Sequence, residues 1–200
     1  MTYQQIPEIK GSKLYTGGAI GFSGPPGTGK STIGKIIANK LNIPFYDLDD
    51  LITKKAGVKT TKEIINNDGL PKFKQTQHLC FKDVFQKDNQ NYVLSFGGHT
   101  TNKNHDSKLI AQNQSLVQKH LFNICLIPSG DIDEIVDILW SRQNDGKRET
   151  GCDNSNQYRQ YVQNLIPQYI ELADKVVFTH NASIDDTIEI ILKEILTTKK

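Results

Sequence analysis

Arginine is nearly missing from this 200-residue chain: Arg142, Arg148 and Arg159 stand against 21 lysines. Cysteine is almost as scarce. Cys80, Cys125 and Cys152 are odd in number, far apart, and form no CxxC pair. That excludes a zinc knuckle and a disulfide framework, and points to a reducing cytoplasm. No apolar run approaches the ~18 residues of a membrane helix, so no membrane association is expected. The opening MTYQQIPEIKGSKLYTGG has no continuous apolar core and does not read as a secretory signal. An excess of one charge is also absent. The net charge of +2 lacks the basic surplus of a dedicated nucleic-acid binder. What remains is a soluble globular composition, 36% hydrophobic and 23% charged, of a size for one domain and read as a monomer. Where arginine is this rare, each one is a candidate for a role.

Short apolar runs alternate with helical patterns. Strands are predicted at Ala19–Ser23, Pro44–Leu48, Tyr92–Phe96, Phe122–Ile127 and Lys175–Thr179. Helices are predicted at Lys30–Leu41, Thr61–Asn67, Leu70–Gln86, Asp131–Arg142, Gln157–Ala173 and Ile184–Leu196. This alternation implies βαβ units and an α/β domain with a five-stranded parallel sheet flanked by helices. Trp140 ends an apolar helical stripe and reads as core; His78, His105 and His120 show no ligand spacing. The polar stretch 141–156 breaks the rhythm and reads either as a disordered loop or as a mobile lid over a site. Residues 1–16 read as a loosely attached extension, and 17–200 as the domain.

The strongest motif is Gly24-Pro25-Pro26-Gly27-Thr28-Gly29-Lys30-Ser31, which satisfies G-x-x-x-x-G-K-[ST] between a predicted strand and a predicted helix. Glycines let successive backbone N–H groups turn toward phosphate oxygens, and the helix N-terminus faces the same anion. Lys30 reaches the terminal phosphates and the Ser31 hydroxyl can ligate Mg²⁺. ATP and Mg²⁺ are therefore the expected cofactors, held by Gly24, Gly27, Thr28, Gly29, Lys30, Ser31 and Thr32. No later strand ends in the acid of a motor ATPase. Asn102-Lys103-Asn104-His105 lacks the acid of a guanine reader. Carboxylates come instead from Phe45-Tyr46-Asp47-Leu48-Asp49-Asp50. In a strand, Asp47 and Asp49 point to one side. One would hold Mg²⁺ through water and the other orient an acceptor hydroxyl, while Asp50 caps the next helix.

These residues resemble the shikimate kinase family, small P-loop kinases of three-layer fold with a mobile lid. The resemblance runs from about Ala19 to the C-terminus. It rests on GPPGTGKST, FYDLDDLI, DGLPKFKQTQ (68–77), LSFGGH (94–99), the 142–148 segment and the tail PQYIELADKVVFTHN, in that order. It implies transfer of the γ-phosphoryl of MgATP to a hydroxyl of shikimate or a related cyclic or polyol acceptor. It implies Asp47 as the magnesium-shell acid and Asp49 as the acid that bonds the acceptor hydroxyl and serves as base. Gly97 and Gly98 would line the substrate, Arg142 would stack on adenine, Arg148 would close the lid as a third catalytic group beside Lys30 and Asp49, and Asn181 falls in the adenine loop.

The departures lie on the acceptor side. The family's first carboxylate-binding arginine falls on Lys74, its glutamate partner on Gln77, its third glycine on His99, its second substrate arginine on Leu165, and the proline–leucine after the lid arginine on Glu149-Thr150. Lysine is a single point charge where arginine is a planar fork, and leucine offers nothing. Arg159, six residues before Leu165, falls on another helix face and gives no rescue. His99 reads either as a donor lining the acceptor site or as a loop residue turned to solvent. Two other readings stay open. One is a nucleotide-binding relative without shikimate kinase activity. The other is a nucleoside or nucleoside-monophosphate kinase, disfavoured by three arginines in all.

Overall fold

A computed structural model describes residues 9–87, 91–102, 107–143, 152, 154–179 and 182–197. The chain runs β1 (Ile9–Lys10), β2 (Ala19–Ser23), α1 (Lys30–Leu41), β3 (Phe45–Asp47), α2 (Leu48–Ala56), α3 (Thr61–Phe85), β4 (Val93–Ser95), a 3-10 turn (Gly98–Thr100), α4 (Ser107–His120), β5 (Leu121–Ile127), α5 (Ile132–Gln143), α6 (Ser155–Leu172), β6 (Lys175–Phe178) and α7 (Ile184–Thr197). One sheet has the order β1-β6-β5-β2-β4-β3. All neighbours are parallel except β1, which runs antiparallel to β6.

The side-chain period of two sorts these strands into three layers. Ile20, Phe22, Val93, Phe122, Leu126 and Val177 pack on one face against Ile33 and Ile37 of α1 and Ile188, Ile191 and Ile195 of α7. On the other face Leu94 and Leu121 meet α2, α3 and α4, while Cys125, Ile127 and Val176 meet α5 and α6. Both faces are covered, which is why the strands read as near-continuous apolar runs. Trp140 packs on Tyr158 with ring centroids 5.4 Å apart, at the margin of that second face. Strand order reverses at β2, so the crevice at the carboxyl ends of β2 and β4 is the place for a ligand. Among the described residues no helix is long and apolar enough to cross a membrane.

The structure corrects the reading at four places. The strand through Pro44–Leu48 stops at Asp47. The two helices predicted on either side of residue 68 are one element, α3, broken only at Gly69 with φ 84° and ψ 163°. Helices α2 and α4 have no counterpart among the predicted helices. The α4 sequence SKLIAQNQSLVQKH is polar, and that helix is held by burying Ile110 and Val117. Finally, the sheet's sixth strand comes from the segment read as a loose extension. Ile9 and Lys10 register with Val177 and Val176. Lys13 pairs with Asp174 at 2.7 Å, and Lys175 Nζ donates to Gly11 O at 2.7 Å.

Tyr15 anchors this segment. It is buried edge-to-face on Phe122, centroids 5.3 Å apart, and its hydroxyl donates to Gly18 O at 2.7 Å. Truncating a buried aromatic to alanine costs about 3–5 kcal/mol. Tyr15→Ala is therefore expected to lower Tm by roughly 6–20 °C in a chain of this size. Calorimetry checks this; a shift under about 1 °C would mean the segment is as loose as its sequence reads.

Candidate active site

The loop after β2 is built to hold an anion. Gly24 has φ 138°, and a Cβ there would stand 2.2 Å from the backbone oxygen of Leu126. No other residue fits, so β2 leaves the sheet pressed against β5 and the loop curls over the crevice. Thr28 is buried and donates from Oγ1 to Pro25 O at 3.0 Å; Lys30 Nζ donates to the same oxygen at 3.0 Å. Helix α1 begins at Gly29 with no side-chain cap and no acid in its first turn. An uncapped helix start of this kind presents its N–H dipoles toward a bound anion. These features fit a polyphosphate.

Ser31 and Asp47 come together through Ser95, which the sequence reading had not singled out. The Ser31 and Ser95 hydroxyls lie 3.3 Å apart. Ser95 is buried and registers with Phe22 of β2 on one side and Asp47 of β3 on the other. Two hydroxyls and a carboxylate, from the start of α1 and the adjacent ends of β4 and β3, suit a hard cation that keeps several waters and takes its remaining oxygens from phosphates. No cluster of three or more His, Cys, Asp or Glu able to hold a metal occurs among the described residues, so such a cation would rely on hydroxyls and substrate oxygens.

The carboxylate pair is arranged differently from the strand reading. Asp47 is extended (φ −105°, ψ 125°) and is itself the N-cap of α2, its Oδ1 accepting from the Asp49 N–H at 3.0 Å. Asp50 is not the cap. Asp49 is carried into the crevice by the first helical turn rather than by strand alternation. By surface area Asp49 is exposed at the mouth of the crevice, although protein atoms crowd around its carboxyl. Burial by the crevice walls raises its pKa above the ordinary carboxylate range, Asp47 and, more weakly, Asp50 push the same way, and Lys30 pulls it back. The phosphate lysine and the candidate base therefore act on one another within one site.

Across from them, Gly97 and Gly98 enter the 3-10 turn after β4. A Cβ on Gly97 would meet open space, whereas one on Gly98 would stand 2.5 Å from the Tyr169 hydroxyl and 3.1 Å from Leu165. The turn is braced from α4. Asn113 Nδ2 donates to Thr100 O at 2.8 Å, its Oδ1 lies 2.7 Å from His78 Nδ1 on α3, and Gln114 Nε2 donates to Thr101 O at 2.9 Å. His78 thus does structural work that its spacing did not reveal. Lys74 and Gln77 are buried on α3, and burial lowers the Lys74 pKa to about 8. Leu165, the residue in place of the second arginine, is buried beside Gly98. Arg159 is engaged with Asp133 of α5, away from Leu165.

On the far side of the loop a cavity of about 390 Å³ is lined by Gly27, Thr28, Gly29, Thr32, Ile33, Arg142, Thr179, Ala182, Ile184 and Thr187. Arg142 Nη1 donates to Gly27 O at 2.9 Å, which ties α5 to the phosphate loop. Arg148, Asn181 and most of 141–156 lie outside the described residues, as does the side chain of His99, whose backbone forms part of the turn.

A phosphate loop at the switch point of a three-layer α/β sheet, with carboxylates and a glycine turn facing it, defines a P-loop fold of the small-kinase class. A family model for shikimate kinase matches residues 26–196, and the chain belongs to that family, one of phosphotransferases with a hydroxyl acceptor. The shikimate kinase of Flavobacterium psychrophilum is 33% identical over 121 residues, 60% of this chain and 63% of that protein, so the match spans just under two thirds of the relative. The Staphylococcus aureus shikimate kinase is 27% identical over 169 residues, covering 84% of this chain and 86% of the relative. Among solved structures, shikimate kinase from Acinetobacter baumannii in complex with shikimate superposes with a TM-score of 0.74 at 23% identity, over 92% of this chain and 96% of that one. At that identity the superposition speaks for the fold.

Proposed function

We propose that this chain transfers the γ-phosphoryl of MgATP to a hydroxyl of shikimate or a closely related cyclic acceptor. The observation that carries this is that the phosphate loop's Lys30 and the Asp47 cap of α2 both lie within electrostatic range of the Asp49 carboxyl. Gly24–Thr32 would cradle the phosphates, Arg142 would face the adenine across the cavity beside the loop, and Ser31 with Asp47 would hold Mg²⁺. When bound, the ion neutralises charge on the phosphate oxygens. Asp49 orients the acceptor hydroxyl and takes its proton as the oxygen attacks the γ-phosphorus. The bond from that phosphorus to the β-bridging oxygen breaks and ADP leaves. Lys30 and the N–H groups of α1 stabilise the charge on the phosphoryl in transit. Arg148, from the stretch after α5, would complete the site.

Lys74 and Leu165 favour a second reading, in which the nucleotide site is kept and shikimate is not phosphorylated. One experiment decides. The protein is incubated with MgATP with and without shikimate, and the product is read by mass spectrometry. The expected result is acceptor-dependent phosphorylated product. ATP binding without product on shikimate or on any related cyclic polyol would overturn the proposal.

A further inference from the structure

The turn that carries Gly97 and Gly98 is held from outside itself. Within it, the Thr100 N–H donates to Gly97 O at 3.1 Å and the Thr101 N–H to Gly98 O at 3.3 Å, the short-range bonds of a 3-10 turn, whose geometry is poor. Thr100 and Thr101 are buried, so their carbonyls need protein partners. Asn113 and Gln114 of α4 supply them. Asn113 is itself buried, and its Oδ1 lies 2.7 Å from His78 Nδ1. Its Nδ2 is spent on Thr100 O, so the amide faces His78 with its acceptor. Nδ1 is then the donor in either charge state of the ring. A chain of side-chain bonds thus runs from α3 through α4 to the turn. On α3, His78 follows Gln77 directly and Lys74 by one helical turn. Gly97 shows what the turn offers. Its backbone is extended (φ −95°, ψ 176°), and a Cβ there would meet open space. Neither conformation nor packing asks for glycine, which leaves that space free at the crevice.

We infer that His78 is a positioning residue for phosphoryl transfer, fixing the turn after Gly97 and Gly98, through Asn113, to the helix that carries Lys74 and Gln77. This rests on the proposed function, which assigns α3 and the turn to the acceptor. His78 touches no reacting atom. An acceptor held between α3 and the turn meets the γ-phosphorus in line only if those two walls keep one separation. They come from different segments of the chain, and the loop between β4 and α4 has no regular ladder to hold it. Asn113 alone would fasten the turn to α4, which brings no acceptor contact. The bond from His78 extends that hold to α3. A shift of about 1 Å in such a wall can cost about 10²-fold in rate without any change in the reacting groups.

His78→Leu removes the donor, and His78→Asn returns an amide N–H near the position of Nδ1. Turnover of MgATP and shikimate is measured beside hydrogen exchange at the Thr100, Thr101 and Asn102 amides. In His78→Leu, kcat is expected to fall about 10- to 10²-fold, with KM for ATP unchanged and exchange at the turn faster. His78→Asn restores both. In an Asn113→Leu background, His78→Leu costs nothing further, because both residues serve one chain. A purely structural histidine would lower Tm and leave kcat, measured well below Tm, untouched; that outcome overturns the inference. A loss of kcat that asparagine does not restore also overturns it. If His78→Leu does not fold, His78→Asn is compared with His78→Gln, whose amide reaches one carbon further, and equal kcat in the two overturns the inference. If the wild type phosphorylates neither shikimate nor a related cyclic polyol, the phosphotransfer proposal fails. His78 is then judged on exchange, and rates at the turn unaltered by His78→Leu overturn its role.

Discussion

Asp49→Asn is expected to cut phosphoryl transfer by about 10²–10⁴, the usual contribution of a positioned general base, with the affinity for MgATP unchanged. The amide keeps the shape of the carboxyl and still reaches an acceptor hydroxyl, but it cannot take a proton. The same substitution should raise thermal stability. The native pKa of Asp49 is raised, first by burial and then by Asp47, so the ionised form is disfavoured in the folded state. A carboxylate whose native pKa exceeds its unfolded value of about 3.9 loses stability as pH rises through the window between the two. The variant escapes that loss. Its advantage is complete above the native pKa and vanishes below about pH 3.9. Single-turnover kinetics at saturating ATP and unfolding scans across pH read the two effects separately. Transfer retained within tenfold would remove Asp49 from the role of base and leave the crevice as a nucleotide-binding site.

The nucleotide side of this site was legible in the sequence because its chemistry is local. Gly24, Lys30 and Ser31 sit within eight residues, and the loop conformation they need is written in the same segment. The five parallel strands were legible for a related reason: buried on both faces, they leave short apolar runs that nothing else in a polar chain resembles. The proposed acceptor side would draw on α2, α3 and the turn after β4, and no periodicity links those segments. Ser95 becomes a partner of Ser31 only through the pairing of β2 with β4. Asp47 and Asp49 do not share a strand face as the alternation implied, since the side chain of Asp47 caps α2 and Asp49 lies in the first turn of that helix. Residues 9–15 were misread because two strand residues and one buried tyrosine carry no pattern by themselves; their partners, Val176, Val177 and Phe122, lie more than a hundred positions away.

Lys74 should make acid recognition depend on pH in a range where an arginine would not. Its ammonium is buried on α3, and burial alone brings its pKa down to about 8. The free enzyme is then charged at pH 7 and largely neutral at pH 9. For an acceptor that carries a carboxylate, kcat/KM is expected to fall about tenfold per pH unit above pH 8, because this ratio reports the free enzyme. For a neutral cyclic polyol it should stay flat over the same range. Lys74→Arg keeps its charge beyond pH 12 and supplies a planar fork, so the alkaline limb should disappear and KM for the acid should drop. Lys74→Met should raise that KM roughly 30-fold or more, the loss expected when a charged contact worth about 2–5 kcal/mol is removed, and should leave the neutral acceptor unaffected. Stability carries the opposite sign from Asp49. The native pKa of about 8 lies below the unfolded value of about 10.4, so the unfolded chain holds more protons between them and wild-type stability rises with pH across that window. A wild-type kcat/KM for the acid that stays level from pH 7 to about 9.5 would place Lys74 outside acceptor recognition, and the residue would then owe its position on α3 to packing beneath the glycine turn.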